Sequence, residues 1–250
     1  MRHVVAYSVW NKVDMISWLL DGIVRNFDPA TTEVVFHFDV CSDDSINAFC
    51  AMTDFWLTSK KFKWTLLKAD PSGPQVREIG GHNSILKHCL ANTDAQFITI
   101  AQDDQHFNQP IASHLEQLAE RYGDRLGVIG GRDGYDWGYG RFAGSFWSES
   151  ALQERLAHGE WRERPCLNTG PLVYPRKVVE TVGYQDSEFM AYYVWDDYAL
   201  RALKSGFVNG VMGMDLTHAK FGRVSSTWWA VTGEHAAHDI ALVKRKHNLY

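Results

Sequence analysis

The feature of this sequence that most constrains its fold is a regular alternation of short apolar runs with longer amphipathic stretches. Residues 3–9 form an apolar run, and behind Asp14 the apolar residues recur at helical spacing. The unit repeats, with strands predicted at residues 3–9, 33–38, 63–68, 96–101, 126–129 and 167–174. Because strands that alternate with helices build a mainly parallel sheet covered by helices on both faces, we expect an α/β fold.

Helices are predicted between these strands and after the last of them. They begin behind Asp14, at Ser45, around Ile85, at Pro110 and after Pro175, and they also cover residues 195–206 and 235–250. The regular pattern stops at residues 130–147, where glycines alternate with aromatic and charged residues. We expect a loop-rich insertion there, within one domain that covers residues 1–250.

The composition excludes several classes of protein. The chain has 250 residues and a net charge of -5, so it lacks the basic surface that a nucleic-acid polymer requires, whereas a single nucleotide is compatible with it. No apolar run approaches the roughly 18 residues of a membrane span, and the start MRHVVAYSVWNKVD is interpreted as a strand and not as a signal peptide. The four cysteines form no C-x-x-C pair, which is typical of a reducing compartment. We therefore expect a cytoplasmic protein.

Chemistry is expected just after the strands, because ligands of open α/β sheets bind beyond the carboxyl ends of the strands. Asp39, Ser42 and Asp44 follow the second strand in the segment FDVCSDDS. An aspartate at this place accepts a hydrogen bond from a nucleotide base or from a ribose hydroxyl. A turn followed by a helix cap explains the same residues equally well.

Asp103 and Asp104 directly follow the strand at residues 96–101. Two adjacent carboxylates at the end of a buried strand repel each other unless a cation lies between them and another anion. We therefore predict that Mg²⁺ or Mn²⁺ bridges this pair and a diphosphate, where the metal neutralises the charge of a departing nucleoside diphosphate. The alternative is a surface turn.

Asp196 and Asp197 lie in the first turn of the helix predicted over WDDYALRALKSG. One carboxylate there caps the free N–H groups of the helix, while the other takes a proton from an acceptor hydroxyl. The alternative for Asp197 is an ion pair with Arg201, which stands four residues further along the helix.

Four segments, in this order along residues 3–222, resemble motifs of the inverting glycosyltransferases of the GT-A fold, glycosyltransferase family 2. FDVCSDDS resembles the D-D-G-S-x-D-x-S/T turn, GGHNSILKHCL the G-x-x-x-A-x-N helix, and QDDQ the D-x-D metal motif. VGYQDSEFMAYYVWDDYALRALKSG is similar to the stretch that runs from the acceptor side to the catalytic carboxylate. The fold implied is a Rossmann-like, mixed but mainly parallel sheet with helices on both faces.

The resemblance implies transfer of a sugar from a nucleotide-diphosphate sugar to a hydroxyl of a glycan or another acceptor, with Mn²⁺ or Mg²⁺ as cofactor. It divides the chain into a nucleotide-binding half at about residues 1–107, an acceptor half at about 108–222 and a C-terminal tail at 223–250. Asp197 is the implied general base and Asp196 its partner. The implied contacts are Ser8, Asp39, Asp44, Asn83 and Asp104 for the nucleotide sugar, Asp103, Asp104 and His218 for the metal, and Trp195 for the acceptor.

The sequence departs from the family pattern at Gln105, where a second carboxylate is expected. Either the metal has fewer protein ligands, or Asp104 is the true ligand. The Q-x-x-R-W motif of processive synthases does not occur, so a single addition of sugar is expected. The aromatic residues at 130–147, among them Trp137 and Tyr139, are predicted to stack on the acceptor sugar, with a lid packed on the core as the alternative.

Two further groups lie in the helix predicted at 235–250. Lys244, Arg245 and Lys246 are interpreted as a solvated face, with a diphosphate contact as the alternative. His235 and His238 stand three residues apart, a spacing compatible with zinc but better explained by an apolar face, since no third ligand has a suitable spacing.

Two other functions compete with glycosyl transfer. A nucleotidyltransferase needs a glycine-rich basic loop after its first strand, and the sequence SVWNKVD contains no glycine there. A non-catalytic sugar-binding module is the second, because a fold does not by itself prove activity. Aspartates at all three strand ends favour a working enzyme.

Overall fold

A computed structural model describes residues 2–73, 76–131, 156–167, 170–190, 193–219 and 226–248, with the backbone alone for 226–234 and 236. The strands are β1 (His3–Val9), β2 (Thr32–Phe38), β3 (Lys63–Lys68), β4 (Phe97–Gln102), β5 (Gln105–Phe107), β6 (Leu126–Gly130), β7 (Trp161–Glu163), β8 (Leu172–Pro175), β9 (Val208–Met212) and β10 (Leu216–His218). The helices are α1 (Ile16–Asn26), α2 (Ser45–Thr53), α3 (Arg77–Asn92), α4 (Ala112–Tyr122), α5 (Arg176–Val182), α6 (Val194–Lys204) and α7 (Ser226–His247).

The central sheet has eight described strands in the order β3-β2-β1-β4-β8-β6-β9-β7. β1 pairs in parallel with β2 and β4, and β6 pairs in parallel with β9. β8 is antiparallel to both β4 and β6, and β7 is antiparallel to β9. The expectation of a mixed, mainly parallel sheet is therefore confirmed.

The two faces of the sheet bury separate apolar cores, because alternate residues of a strand point to opposite faces. On β1, Val5, Tyr7 and Val9 join the core that α1, α2 and α4 complete, and Val4 and Ala6 join the core under α3, α5 and α6. A third, smaller cluster packs Leu242 and Val243 of α7 against Ile79, Phe189, Val194 and Leu200. The C-terminal helix is thus packed on the same side as α3 and α6.

The predicted element bounds differ from the structure at several places. The helix predicted at 235–250 begins earlier, at Ser226. The strand predicted at 167–174 is shorter, because Pro171 has no N–H for a strand ladder and β8 begins after it. Ser45 does not cap α2 as predicted: it is the first helical residue, and its hydroxyl is already bonded to Asp43 and to the amide of Lys12.

None of the helices within the described ranges is both long and apolar enough to cross a lipid bilayer.

Candidate functional site

The site is assembled at the edge of the sheet where β1, β2 and β4 end. These three strands are parallel, so the loops that follow them meet at one edge. Asn11, with a left-handed φ of 51°, holds two of these loops together. Its side-chain oxygen accepts the amides of Ser42 and Asp43, and its amide group donates to the Ser42 hydroxyl at 2.9 Å. The loop after β1 is therefore fixed against the loop after β2.

Asp39, predicted to contact the nucleotide, is buried and bound to the start of α3. Its Oδ1 accepts the amides of Val40 at 2.8 Å and Val76 at 2.9 Å, and its Oδ2 accepts the amide of Arg77 at 2.9 Å. A carboxylate has about four acceptor positions. Asp39 thus holds the first turn of α3 and keeps one acceptor position on Oδ2.

Asp44, another predicted nucleotide contact, is exposed and bonds to Asn47 of its own helix at 2.7 Å. Its neighbour Asp43 orders the turn instead, because it accepts hydrogen bonds from Ser45 and from the amide of Val13. Asp44 faces solvent at the rim of the site, where nothing in the described residues holds it toward the cleft.

Ser8, the third predicted nucleotide contact, lies on the face of β1 that packs under α3. A Cβ added at Gly81 of α3 would overlap the Ser8 hydroxyl and would stand 3.1 Å from Nδ1 of His37. Ser8 is therefore in contact with the helix, and Gly81 allows the helix to approach the sheet this closely.

Asn83 of α3, the fourth predicted nucleotide contact, binds the main chain of Gln185. Its amide group donates to the Gln185 carbonyl at 2.8 Å, and its oxygen accepts the Gln185 amide at 2.9 Å. The Gln185 side chain in turn donates to Tyr174 Oη at 2.7 Å and lies 3.1 Å from Nδ1 of His82. In this structure Asn83 joins α3 to the segment that leads to α6.

Asp103 points back to the loop after β1. Its Oδ2 accepts the amide of Trp10 at 3.0 Å, and its Oδ1 lies 3.7 Å from Nζ of Lys12. Burial raises the pKa of Asp103 to about 6, with Lys12 opposing the shift and Asp104 adding to it. Trp10 and Lys12 were not singled out from the sequence, although the Trp10 side chain is 45% exposed beside this carboxylate.

Asp104 and His218 face each other across the small antiparallel sheet of β5 and β10. In that sheet His218 pairs with Gln105, and the amide of Ala219 donates to the Asp104 carbonyl at 2.8 Å. This register brings Nε2 of His218 to 3.1 Å from Oδ1 of Asp104. Two of the three predicted metal ligands are thus in contact, and the third, Asp103, contacts the Trp10 amide and Lys12.

No group of three or more His, Cys, Asp or Glu side chains within the described ranges is arranged to hold a metal ion. A carboxylate with an imidazole still fits a divalent cation that takes its other ligands from water and substrate phosphates, as Mg²⁺ and Mn²⁺ do. The pair of Asp104 and His218 has that chemistry.

Gln105 stands where the D-x-D motif has a second carboxylate. It is fully buried and makes structural hydrogen bonds. Its Oε1 accepts the amide of Gln102 at 3.0 Å, and its Nε2 donates to the Gly170 carbonyl at 3.0 Å. Because β8 is antiparallel to β4 and β6, its first residues lie at the same edge of the sheet as the end of β4. Gln105 therefore joins the two strands at the site.

Glu78 of α3 is a residue that the sequence reasoning missed. Its Oε1 lies 3.5 Å from Nε2 of Gln102 and 3.7 Å from Nε2 of the buried His82. Burial raises the pKa of Glu78 to about 7; the hydrogen bond from Gln102 opposes the shift, and the charges of Asp103 and Asp104 add to it. The only signal in the sequence was an acidic residue in a first helical turn, which is also the ordinary place for a carboxylate at a helix N-terminus.

Asp197 of α6 is fully buried and contacts two basic side chains and a histidine. Nε of Arg201 donates to its Oδ2 at 2.8 Å, and Nε2 of His247 lies 2.8 Å from its Oδ1, with Nζ of Lys246 at 3.8 Å. Arg201 also donates to the carbonyls of Val182 and Tyr184. The ion pair that the sequence offered as an alternative is present.

Asp196, its neighbour, has the opposite environment. It is fully buried, and neither carboxylate oxygen has a hydrogen bond of standard geometry within the described residues. Burial raises its pKa well above the ordinary range; weaker contacts with the Cys166 thiol and with its own backbone amide oppose the shift, and the Asp197 charge adds to it. Nε1 of Trp195, the predicted acceptor residue, is likewise buried without a hydrogen bond there. Buried polar groups without partners are costly in a folded protein.

Trp137 and Tyr139, the other two predicted acceptor contacts, lie outside the described residues.

The fold is similar to that of solved glycosyltransferases. Mannosyltransferase PcManGT from Pyrobaculum calidifontis, solved in complex with GDP-Man and Mn²⁺, has a TM-score of 0.63 and 17% identity, over 98% of this chain and 64% of that one. S. aureus TarS has a TM-score of 0.58 and 13% identity, over 85% of this chain and 35% of that one. TarS 1-349 in complex with UDP-GlcNAc has a TM-score of 0.56 and 14% identity, over 95% and 66%.

These likenesses establish the class of fold: the chain has the GT-A-like fold of glycosyltransferases. It spans less than two thirds of the PcManGT chain and about a third of full TarS. No protein-family model matches the sequence, and no curated protein matches it.

Proposed function

We propose that this chain is an inverting glycosyltransferase of the family 2 type, which moves a sugar from a nucleotide-diphosphate sugar to an acceptor hydroxyl with Mn²⁺ or Mg²⁺. The observation that carries the proposal is the contact of Asp104 with His218 at the end of β4, on the fold that the solved glycosyltransferases share. PcManGT was solved with GDP-Man and Mn²⁺, which agrees with a nucleotide sugar and a divalent metal here.

The donor is proposed to bind where β1, β2 and β4 end. Asp39 keeps one acceptor position for a base N–H, and Trp10 offers an exposed ring for stacking on the base. Lys12 stands beside Asp103, within reach of a diphosphate. Ser8, Asn83 and Asp44 take part only indirectly in this proposal, because their described contacts are with the protein itself.

Asp104 and His218 are proposed to hold the metal, which when bound neutralises the charge of the departing nucleoside diphosphate. The pKa values of Asp103 and Glu78 are raised mainly by burial, with a smaller contribution from repulsion among the carboxylates at this edge, and a bound cation would offset both effects. Asp103 then fixes the loop after β1 through the Trp10 amide.

For the general base we propose an exchange of roles, with Asp196 as the proton acceptor and Asp197 as its support. Asp197 is paired with Arg201 and His247, so its oxygens are already engaged. Among the described residues the Asp196 oxygens have no hydrogen bond of standard geometry, so an acceptor hydroxyl would satisfy them, and a raised pKa makes the carboxylate a stronger proton acceptor. The deprotonated hydroxyl attacks the anomeric carbon from the face opposite the diphosphate, which leaves with inversion.

The test is calorimetric titration of UDP, GDP, CDP and dTDP into the protein, with Mn²⁺ and with EDTA. We expect one nucleotide to bind only with Mn²⁺, and His218→Gln and Asp104→Asn to weaken that binding at least about tenfold, because each removes a ligand of the metal. Asp94→Asn is the matched control: Asp94 is an exposed carboxylate paired with Arg2.

If a nucleotide binds equally well with Mn²⁺ and with EDTA, and neither variant changes its Kd, then Asp104 and His218 do not hold a metal. Transfer assays with sugar nucleotides of the base that binds then separate the enzyme from a non-catalytic module. Release of pyrophosphate from a nucleoside triphosphate and a sugar phosphate would identify a nucleotidyltransferase instead.

A further inference from the structure

Three residues of the C-terminal helix α7 make polar contacts with the first turn of α6 or with the segment before it. Asp239, fully buried, accepts the amide of Met190 through both oxygens, at 2.9 and 3.1 Å. Lys246 forms an ion pair with Asp186. His247 contacts Asp197, and both side chains are buried, with 3% and 0% exposed. These three residues, Asp239, Lys246 and His247, are called the C-terminal cluster below.

The C-terminal cluster contacts both sides of a short segment. Asp186 and Met190 lie before the turn into α6, and Asp197 lies in the first turn of α6. Between them Tyr193 has a left-handed φ of 57°, a conformation that costs free energy in a non-glycine residue and persists only when its surroundings hold it. Leu242 and Val243 pack against Phe189 and Val194 below these contacts. The start of α6 is therefore held from outside by α7.

Asp196 is next in the chain to the residue that His247 holds. On a helix, neighbouring residues point about 100° apart, so fixing Asp197 also fixes the direction of Asp196. The two carboxylates also differ in their partners: Arg201, Lys246 and His247 lie beside Asp197, while no described cation pairs with Asp196. One carboxylate of the pair is thus occupied, and the other has no such partner among the described residues.

We propose that His247 is a positioning residue for glycosyl transfer: through Asp197 it holds the first turn of α6 so that Asp196 faces the acceptor. The role in the reaction rests on the proposed function, whereas the contact between His247 and Asp197 is independent of it. It assigns a role in the reaction to a tail that the sequence pattern placed outside the catalytic half.

The experiment compares His247→Ala and His247→Gln with Arg245→Ala, an exposed cation two residues away on the same helix. We expect His247→Ala to lower kcat at least about tenfold, because small displacements of a catalytic group are that costly. The Kd of the nucleotide and the KM of the donor should stay within about twofold, because their sites are on other elements. His247→Gln keeps an N–H donor near the same place and should recover most of kcat.

A second measurement tests whether His247 holds the first turn of α6, and it needs no sugar acceptor. Hydrogen exchange of the Asp197 amide, which donates to the Tyr193 carbonyl at 2.9 Å, should be at least about tenfold faster in His247→Ala. It should be unchanged in Arg245→Ala and close to the parent in His247→Gln.

The outcomes are distinguishable. Parent-like kcat in His247→Ala, or an Asp197 amide that exchanges as in the parent, would overturn the positioning role. A fall in kcat that Gln does not recover, with global unfolding at a lower temperature, would make His247 a structural residue only. A parent that binds no nucleotide and transfers no sugar refutes the proposed function, and the amide exchange then decides by itself whether His247 holds the α6 turn.

Discussion

Asp196 and Asp197 are adjacent residues of one helix, yet they have different electrostatic environments. Asp197 is compensated by Arg201 and His247, whereas Asp196 is buried without a described hydrogen bond. A buried unpaired carboxyl lowers stability, and proteins keep such groups where function requires them. At the scale of single residues, the two carboxylates should therefore respond differently to pH and to substitution.

The first prediction concerns Asp196→Asn. A carboxyl whose pKa is raised in the folded state stabilises the fold while protonated, and this contribution is lost as the pH rises above about 4, the value for an unfolded chain. We therefore expect the variant to be more stable than the parent at pH 7, by about 1–2 kcal/mol. The difference should vanish below about pH 4. Urea unfolding at both pH values measures it.

The same variant should lose glycosyl transfer, since an amide takes up no proton from the acceptor. In the parent, kcat should rise with pH through an apparent pKa above the ordinary carboxyl range. Asp197→Asn is the control, because it breaks a buried ion pair and should be destabilised at pH 7. A gain in stability for Asp197→Asn, or full activity for Asp196→Asn, would contradict the proposed division of roles.

At the scale of secondary-structure elements, α3 organises the donor side. It begins on the Asp39 carboxylate, contributes Glu78 to the site, and approaches β1 at Gly81. Asn83 then joins it to the segment before α6. One helix thus connects the proposed nucleotide site with the proposed acceptor site.

We predict that Gly81→Ala destabilises the protein. In an open helix this change gains about 0.5–1 kcal/mol. Here the added methyl overlaps the Ser8 hydroxyl and presses on His37, which costs about 1–3 kcal/mol. The net effect should be a loss of about 1–2 kcal/mol, measured by urea unfolding. Gly73→Ala is the control: the added atom makes only ordinary contact there, so a similar loss at Gly73 would show that the close approach is not the cause.

The elements that the sequence predicted are those with a clear period and a clear end. β1, β2, β3 and β4 were found because their apolar runs are bounded by polar turns, and α6 because Gly206, with φ 91°, ends it. β5, β7 and β10 have three residues each, too few for a period. Their positions depend on partners far along the chain, and no local pattern encodes those.

The site was predictable to the extent that it follows strand ends. Asp103, Asp104 and His218 were placed by motif and order, and the β5–β10 register brings the last two into contact. Glu78 and Lys12 were missed because single charged residues in helix starts and loops have many ordinary roles. The contact of His247 with Asp197 joins residues 50 positions apart, which no spacing rule finds.

At the scale of the whole molecule, one sheet runs through both parts of the chain. The proposed donor side ends near β4 and the proposed acceptor side begins after it, yet β4 pairs with β8, and β8 with β6. Each half would expose apolar strand faces if the other unfolded. We therefore propose that residues 1–250 act as one cooperative domain.

Scanning calorimetry tests this proposal. We expect a single transition whose calorimetric and van't Hoff enthalpies agree. The nucleotide identified by titration, with Mn²⁺, should move the whole transition upward, by about 2.7 kcal/mol of added stability at a hundred times its Kd. EDTA should reverse that shift. Two separable peaks, of which only one responds to nucleotide, would mean two domains.

The place of His247 and Asp239 along the chain has a consequence for biosynthesis. A protein emerges from the ribosome beginning with its amino terminus, so the strands that bear Asp39, Asp103 and Asp104 are available to pair long before residues 239–247 leave the exit tunnel. A nascent chain stalled ahead of that stretch would have its nucleotide-side carboxylates in place while the turn around Tyr193 still lacked its outer support. The proposed positioning of Asp196 would therefore be completed only after residues 239–247 have joined the fold.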